Sequence, residues 1–389
     1  MQPVRTHKQR PNFGDPVHIG KVFPRFIPVP ISQPANSTLP LNAVLGHTRV
    51  SDIQQTGQIV FHAVGDTGGH NGTEVQEAIA AAMEAQFGAN PQDNPTFFYH
   101  LGDVIYFNGQ SLYYPTQFYE PYQFYPAVIF AIPGNHDGDT YVRRGDLPDT
   151  EPSLYGFFQN FCAVQRTPLT NAYRDAMTQP YAFWTLSAPF VTIIGLYGNV
   201  DGTLDGPGAA AQHQWLTEQL AQADRSTFII VAVHQPPFSM DTTHCGYPDI
   251  GAAIDQAASA ANVWPDAVFS GHVHNYQRFT RQVALSNGNT KDIPYIVAGA
   301  GGFANTRQRL HKMQKDANGN PPAPADLPFR TTVGGVQLDS YNDEDPGFLR
   351  VTITSQRLTT EYYRVPFGSQ SGQKFDEVVL DHQSGHIIR

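Results

Sequence analysis

The feature that most constrains the fold is a series of short apolar runs that end at glycine or histidine. Four of them read IVFHAVG, FFYHLG, AVIFAIPG and FIIVAVH, and a fifth reads DAVFSG. Runs rich in β-branched and apolar residues with such ends are typical of buried parallel strands. Helical patterns alternate with them at 73–87, which opens with a predicted Thr73-x-x-Gln76 capping box, at 208–223 and at 250–261. The alternation predicts an α/β fold.

Each run leads to side chains that are able to bind a metal ion. The motifs are Gly65-Asp66-Thr67-Gly68, Gly102-Asp103-Val104-Ile105-Tyr106, Gly134-Asn135-His136-Asp137, Val231-Ala232-Val233-His234 and Gly271-His272-Val273-His274. In open α/β sheets, ligand sites gather just beyond the carboxyl ends of the strands. Oxygen and imidazole donors in this mixture suit first-row transition metals. The five motifs therefore predict one site that holds metal.

In order and content, these motifs resemble those of the calcineurin-like metallophosphoesterases and, within them, the purple acid phosphatases. The likeness spans roughly residues 58–302. Most of the wider superfamily has a histidine two residues after the first aspartate, where this chain has Gly68. Tyr106, three residues after Asp103, replaces it, and this is the purple acid phosphatase pattern. The resemblance implies a four-layer α/β/β/α sandwich and a hydrolase of phosphoesters.

The resemblance also implies which donors bind which ion. Asp103 would bridge two ions, Asp66, Tyr106 and His274 would complete the first site, and Asn135, His234 and His272 would complete the second. A phenolate ligand favours Fe(III), because free tyrosine has a pKa near ~10 and needs a strongly Lewis-acidic ion to lose its proton. The neutral ligands of the second site suit a divalent ion, either Fe, Zn or Mn.

The implied reaction is the hydrolysis of a phosphomonoester, in which a metal-bound hydroxide attacks phosphorus in line. We expect His136 and His244 to contact the phosphate or the leaving group, since His136 follows Asn135 and His244 lies shortly after His234. The expected partners are a small phosphorylated substrate and phosphate as a product inhibitor. A phosphodiesterase or nucleotide pyrophosphatase on the same site is the alternative. A more remote alternative is a non-catalytic binding protein that retains the fold.

Several other polar residues have a structural interpretation. His62 and His100 lie inside apolar runs and are predicted to be hydrogen-bonded core histidines. Asp137 is expected to orient His136 or its loop instead of binding metal. Four arginines are candidates for recognising an anion, although solvated surface charge is the more common role of such residues. They are Arg143, Arg144, Arg166 and Arg174.

Residues 1–57 are proline-rich, with eight prolines in the first forty positions. We expect them to form an N-terminal arm that packs on a catalytic domain of residues 58–389. The polar segments near 138–180 and 303–346 break the alternation of strands and helices. They are predicted to be irregular insertions at the rim of the site.

The composition of the chain says more about its binding partners than about its cellular compartment. A net charge of −10 argues against nucleic-acid binding, which usually needs a basic face. No stretch approaches the ~18 apolar residues of a membrane span. The first residues lack the apolar core of a secretory signal, although the resemblance favours a periplasmic or secreted protein. Cys162 and Cys245 lie outside any CxxC motif, so no cysteine metal site is predicted, and their pairing and the oligomeric state stay open.

Overall fold

The computed structural model describes residues 12–17, 26–140, 151–166, 173–206 and 212–389. Two sheets form its centre. The described strands are β1 (Thr38–Pro40), β2 (Gln58–Val64), β3 (Phe97–His100), β4 (Val128–Ala131), β5 (Trp184–Ala188), β6 (Val191–Gly195), β7 (Phe228–Ala232), β8 (Ala267–Ser270), β9 (Tyr276–Ala284), β10 (Thr290–Ala298), β11 (Phe329–Arg330), β12 (Val336–Asn342), β13 (Gly347–Thr354), β14 (Arg357–Arg364) and β15 (Gln373–Asp381). The described α-helices are α1 (Asn42–Leu45), α2 (His47–Thr56), α3 (Glu74–Glu84), α4 (Asn135–Gly138), α5 (Tyr155–Phe161), α6 (Gln212–Gln222) and α7 (Pro248–Ala261).

The strands that precede the five motifs are neighbours within each sheet. Among the described residues, one sheet has the order β15-β14-β13-β2-β3-β4, and β2, β3 and β4 run parallel. The other has the order β1-β5-β6-β7-β8-β10-β9-β12-β11, and β7 and β8 run parallel. Parallel neighbours present their carboxyl ends at the same edge of a sheet. The two sheets and their helices confirm the predicted α/β sandwich class.

The apolar runs form central strands because both of their faces are covered. Every residue of β2 after Gln58 is buried, and every residue of β7 is buried. Ala63 of β2 pairs with Tyr99 of β3 on one side and with Leu349 of β13 on the other. A strand with neighbours on both edges and buried side chains on both faces has no room to shift its register. The residues that follow it are therefore held at fixed places.

The two sheets pack on each other through large aromatic side chains. The ring of Trp184 in β5 lies 5.9 Å from that of Tyr99 and 5.5 Å from that of Phe130. Its indole N–H donates a hydrogen bond to the main-chain oxygen of Ala131 at 3.0 Å. Buried residues of both sheets belong to one hydrophobic cluster. Burial of each large apolar side chain contributes about 1.5–3 kcal/mol, so this core fixes the strand ends from both sides.

Helix α3 follows the first motif as predicted, but the predicted capping box at its start is wrong. The Thr73 hydroxyl donates to the carboxylate of Glu77 at 2.6 Å and does not cap the helix. Gln76 is buried, and its amide donates to the main-chain oxygen of Gln117 at 2.7 Å. Burial of Gln76 therefore removes its side chain from the helix terminus.

The carboxyl-terminal third contains more strand than the sequence predicted. β9 and β10 pair antiparallel from Tyr276↔Ala298 to Ala284↔Thr290. β12 lies inside the segment 303–346, which was predicted to be irregular. These strands carry polar side chains that make specific contacts, such as the ion pair between Arg278 and Asp376. β9 and β12 are rich in polar residues, which hides them from a search for apolar runs, whereas β10 ends in the apolar run IPYIVA, which the prediction overlooked.

The described part of the proline-rich start lies against the sheets. β1 pairs in parallel with β5 and so extends the edge of one sheet. Helices α1 and α2 then lead into β2, and Ile53 of α2 is buried. The division of the chain at residue 57 stays a prediction.

No described helix is both long and apolar enough to span a membrane. Cys162 and Cys245 carry free thiols. Burial raises the pKa of both thiols well above the ordinary value.

Candidate metal centre

The motif side chains lie directly after the strands that were predicted to carry them. They are Asp66 after β2, Asp103 and Tyr106 after β3, Asn135 after β4, His234 after β7, and His272 and His274 after β8. Three strands of one sheet and two of the other therefore supply the site. The short contacts described next show that six of these side chains, all except that of Asn135, lie close together.

Three of these residues have a left-handed backbone. The φ angle is 59° at Asp66, 52° at Asp103 and 67° at His272. Such a conformation costs a non-glycine residue about 1–3 kcal/mol and persists where the surroundings enforce it, often at functional sites. The surroundings are tight, because a Cβ atom on Gly134 would collide with the carboxylate of Asp103. The turn after each strand thus directs a polar side chain into the space between the sheets.

Asp66, Tyr106 and His274 form a triangle of donor atoms. The Tyr106 hydroxyl donates to Asp66 Oδ1 at 3.0 Å and lies 3.4 Å from His274 Nε2. The third side, from His274 Nε2 to Asp66 Oδ1, measures 3.4 Å. Donor atoms at about 2.1 Å from one ion, with angles of about 90–109° between them, lie about 3.0–3.4 Å apart. The spacing of this triangle therefore fits a single metal ion.

Asp103, His234 and His272 form a second group. Their potential ligand atoms lie within 4.8 Å of one another, and all three residues are buried. Asp103 Oδ2 is 3.2 Å from His234 Nε2, and Asp66 Oδ1 lies 3.9 Å from the same nitrogen. Asp103 and Asp66 thus both approach His234, which places the two groups side by side.

Oδ1 of Asn135 is buried and has no hydrogen-bond partner among the described residues. Buried polar atoms normally have a partner, and each exception needs an explanation. A metal ion bound by this oxygen would provide it. The residues present therefore fit the two-metal centre that the sequence predicts.

Neighbouring groups select which nitrogen of each imidazole is available to a metal. His234 Nδ1–H donates to the main-chain oxygen of Leu101 at 2.8 Å, so Nε2 is the nitrogen that faces the site. His272 Nε2 lies 2.8 Å from the hydroxyl of Tyr247, so Nδ1 is the nitrogen left for the site. Metal-binding histidines usually have such a partner on the second nitrogen. Sequence reasoning missed Tyr247, although it lies only three residues after His244.

Asp137 joins two of the ligand loops. Its carboxylate accepts main-chain N–H groups from Gly134 at 2.8 Å, from Val104 at 3.1 Å and from Ile105 at 3.3 Å. Burial and the charge of Asp103 raise the pKa of Asp137 to about 7, whereas the N–H groups of Gly134 and Val104 lower it. The structure thus places Asp137 behind the loops, as expected for a residue that orients them.

Charge in the centre is balanced between carboxylates and imidazoles. Burial lowers the pKa of His234, but the charges of Asp103 and Asp66 outweigh it and raise the value to about 9. Burial, with Asp103 and Asp66 adding to it, raises the pKa of Tyr106 well above 10. Burial and the neighbouring imidazoles, His244 first, lower the pKa of His272 well below 6.5. Ligands bind metal in their deprotonated forms, so a cation here takes the place of protons.

The two predicted substrate histidines lie on either side of the donor groups. The His136 main-chain N–H donates to Asp103 Oδ1 at 2.8 Å, and its Nδ1–H donates to the main-chain oxygen of Phe107 at 2.7 Å. The ring of His136 lies 4.5 Å from that of Tyr106. The His244 ring lies 4.3 Å from that of His272. Both predicted residues are therefore next to donor residues of the centre.

The remaining polar candidates have structural contacts. His62 is buried between the Tyr125 hydroxyl and Gln86, both at 3.0 Å from its ring nitrogens. His100 is buried, with Nε2 at 2.8 Å from the Thr67 hydroxyl. The guanidinium of Arg174 donates to main-chain oxygens, including that of Tyr122 at 3.1 Å. These contacts match a structural role for each of the three.

Two candidate arginines, Arg143 and Arg144, lie outside the described residues. Arg166 lies 3.9 Å from the carboxylate of Asp175. Both of those side chains are more than a third exposed. Surface pairs of this kind contribute little to stability, so the position of Arg166 gives it no assigned role.

A profile of the calcineurin-like phosphoesterases matches residues 51–276, more than half of the chain. The chain belongs to this family. The match begins in α2 and ends where β9 begins, so it includes all five motifs. This calcineurin-like phosphoesterase is also similar to Purple acid phosphatase 22 of Arabidopsis thaliana, with 30% identity over 128 residues. That stretch is 32% of this chain and 27% of the Arabidopsis protein, so the comparison spans about a quarter of the relative's length.

Solved structures with the same fold include an enzyme and an anchor protein. A purple acid phosphatase from yellow lupin (Lupinus luteus) seeds matches with a TM-score of 0.56 and 17% identity, over 83% of this chain and 54% of that one. GAP50, the anchor in the inner membrane complex of Plasmodium, matches with a TM-score of 0.52 and 13% identity, over 82% of this chain and 87% of that one. At these identities the likeness concerns the fold alone. The function of this phosphoesterase must therefore be argued from its site.

Proposed function

We propose that this chain is a two-metal phosphomonoesterase of the purple acid phosphatase type. The observation that carries the proposal is the triangle formed by Asp66 Oδ1, the Tyr106 hydroxyl and His274 Nε2. By resemblance, a tyrosine at the position of Tyr106 distinguishes the purple acid phosphatases from the rest of the wider family. The triangle lies beside the second group of Asp103, His234 and His272.

The first group suits Fe(III). Tyr106 is 1% exposed because the ring of Phe303 stacks on it at 3.8 Å. The pKa of its hydroxyl is raised far above 10, so an ion that binds the phenolate must be strongly Lewis-acidic. The second group has an amide and two imidazoles besides Asp103 and suits a divalent ion such as Fe, Zn or Mn.

Asp103 is proposed to bridge the two ions. Its Oδ1 is held by the main-chain N–H of His136, whereas Oδ2 faces His234. Asp66 Oδ1, on the other side, is within 4 Å of both His234 and His274. Asp66 thus lies at the boundary between the groups, and a side-chain hydrogen bond between Tyr106 and Asp103 brings Asp103 there as well.

Two bound ions would supply a hydroxide nucleophile and would neutralise charge on the phosphoryl oxygens. The chain itself supplies orientation and proton transfer. The Phe107 carbonyl holds Nδ1–H of His136, so Nε2 is the nitrogen available to a substrate oxygen. His244 is held by its main-chain N–H, which donates to Asp241 at 2.9 Å, and its ring is proposed to contact the phosphate or the leaving oxygen.

A phosphodiesterase or nucleotide pyrophosphatase needs room for a second ester group beside His244. On one side of His244, the ring of His311 takes up part of this space, with its centroid 4.7 Å from that of His244. His311 comes from the segment 303–346, the predicted rim insertion. This crowding favours a small monoester.

A non-catalytic protein with this fold would be expected to lack ligands. All seven predicted ligand positions are filled in this chain. The proposal is also supported by the close approach of six of these side chains in the triangle and the second group. We therefore favour catalysis over a purely adhesive or anchoring role.

The test is a comparison of p-nitrophenyl phosphate, bis-p-nitrophenyl phosphate and ATP as substrates, with metal analysis of the same preparation. We expect about two metal ions per chain, one of them iron, and the highest kcat/KM with the monoester. The variant Asp103→Asn keeps the size of the side chain and serves as the control for contaminating phosphatases. A two-metal protein that hydrolyses none of the three substrates would refute the proposal. A preference for the diester would support the alternative.

A further inference from the structure

His311 lies in the site although none of the five motifs contains it. Its ring stacks on the ring of His274, with the centroids 4.2 Å apart and the planes inclined by 20°. The side chain is 11% exposed. The sequence around it, QRLHKMQ, has no metal-binding spacing, and it belongs to a segment predicted to be irregular. His311 is therefore a contact of the metal centre that only the structure reveals.

The main chain of His274 is held by His311 on both sides. The His274 N–H donates to His311 Nδ1 at 3.2 Å, and the His311 N–H donates to the main-chain oxygen of His274 at 3.1 Å. The Asn275 side chain donates to the main-chain oxygen of His311 at 2.7 Å. Two main-chain bonds and a ring stack thus fix both the backbone and the ring plane of His274.

The segment of His311 is also tied to the loop that carries His244. His311 Nδ1, which accepts the His274 N–H, lies 3.6 Å from Asp241 Oδ2, and this buried carboxylate accepts the N–H of His244. The chain after His311 pairs with the chain beside Asp241, since the Thr242 N–H donates to the main-chain oxygen of Lys312 at 2.9 Å. His311 therefore connects the loops of a proposed metal ligand and a proposed substrate contact.

We propose that His311 is a positioning residue that orients His274 for the first metal ion. The inference rests on the proposed function, since it requires that His274 binds metal. His274 Nε2 must stay 3.4 Å from both Asp66 Oδ1 and the Tyr106 hydroxyl for the triangle to hold one ion. Rotation of the ring about its side-chain bonds would move Nε2 out of the triangle. The ring stack with His311 opposes that rotation, and the hydrogen bond that His311 Nδ1 accepts from the His274 N–H holds the backbone from which the ring extends.

Three variants separate the two contacts. His311→Ala removes both of them. His311→Asn places an amide oxygen near the position of Nδ1 and keeps an acceptor for the His274 N–H, whereas His311→Phe keeps the ring stack and removes the acceptor. The control is His382→Ala, because His382 also packs on an aromatic ring, that of Phe228 at 4.6 Å, but outside the site.

The main measurement is iron retention by the oxidised protein at increasing citrate concentration, followed by the visible absorption of the iron phenolate. Zinc content is measured on the same samples. Loss of an outer partner of a metal ligand typically lowers metal affinity about 10–100-fold. We expect His311→Ala to release Fe(III) at a citrate concentration about 10–100-fold lower than the wild type requires. His311→Asn and His311→Phe should release it at intermediate concentrations, and His382→Ala should behave like the wild type. Zinc in the second site should be retained nearly as in the wild type.

The outcomes separate this inference from the proposed function. Wild-type protein that binds no iron or hydrolyses no phosphoester refutes the proposed function, and the inference falls with it. Wild-type protein with both properties, together with iron retention by His311→Ala equal to wild type, refutes the inference alone. If His311→Ala unfolds, His311→Asn and His311→Phe decide, since each keeps one contact. Equal loss of iron and zinc in both would indicate general destabilisation and would also refute it.

Discussion

Replacement of Asp137 by alanine tests whether this carboxylate holds the ligand loops together. Its oxygens accept the N–H groups of Gly134, Val104 and Ile105, and the side chain is 0% exposed. A buried donor left without a partner costs about 1–3 kcal/mol. Three such donors set a gross cost of about 3–5 kcal/mol. Because burial and Asp103 raise the pKa of Asp137, the ionised carboxylate itself costs folding free energy at pH 8, and its removal offsets part of the loss. We therefore expect Asp137→Ala to lower the free energy of unfolding by about 1–3 kcal/mol.

The assay is denaturant unfolding of the metal-depleted protein at pH 8, above the pKa of about 7, so that the carboxylate is ionised. Metal depletion matters because a bound ion would add its own stabilisation to the folded state. Asp137→Asn keeps one acceptor oxygen and should lose less. The control is Asp224→Ala, because Asp224 accepts the Ser226 N–H at 2.9 Å at an exposed turn where water replaces it. A loss below about 1 kcal/mol in Asp137→Ala would refute the reasoning.

Three further predictions follow. Elemental analysis should show that Asp103→Ala loses both metals together, whereas Asn135→Ala should lose mainly the second metal. Retention of both ions by Asp103→Ala would argue against a bridge. His244→Ala should keep its metals, but its kcat should fall about 10²–10⁴-fold for an alkyl phosphate and much less for p-nitrophenyl phosphate. Equal losses with the two substrates would indicate that His244 only binds the phosphate. Burial lowers the pKa of His62 to about 3, so stability should fall as pH decreases from 6.5. His62→Gln should flatten that fall in denaturant titrations, and an unchanged slope would contradict it.

The metal-binding strand ends could be predicted because central parallel strands require continuous apolar runs. β2 and β7 are buried on both faces, and this burial leaves a strong mark in the sequence. The chain must turn after such a strand, and a glycine directly precedes both Asp66 and Asp103 at these turns. Sequence and structure therefore agree best where the backbone is most constrained.

Two of the missed strands, β9 and β12, lack that mark. β9 reads YQRFTRQVA and gains stability from cross-strand pairs and from the ion pair of Arg278 with Asp376. The cross-strand partners of β12, such as Phe279 opposite Leu338, cannot be identified from its own sequence. Strands whose partners lie far along the chain depend on tertiary context more than on local pattern.

The outer partners of the site could not be predicted for a related reason. Tyr247 and His311 act on their neighbours through contacts between distant segments, as in the bond between Thr242 and Lys312, which are 70 residues apart. No spacing rule connects such positions. A tyrosine close to His244 in sequence was a weak signal for Tyr247, whereas nothing in the sequence singled out His311.

The central claim is that Tyr106 is a ligand of Fe(III) in a two-metal centre. The most direct measurement is the visible absorption spectrum of the oxidised protein, with iron and zinc quantified in the same sample. Wild-type protein should show a phenolate-to-iron charge-transfer band, and Tyr106→Phe should lose the band while the second ion stays bound. A wild-type preparation that contains two metals, including Fe(III), but shows no such band would contradict the account.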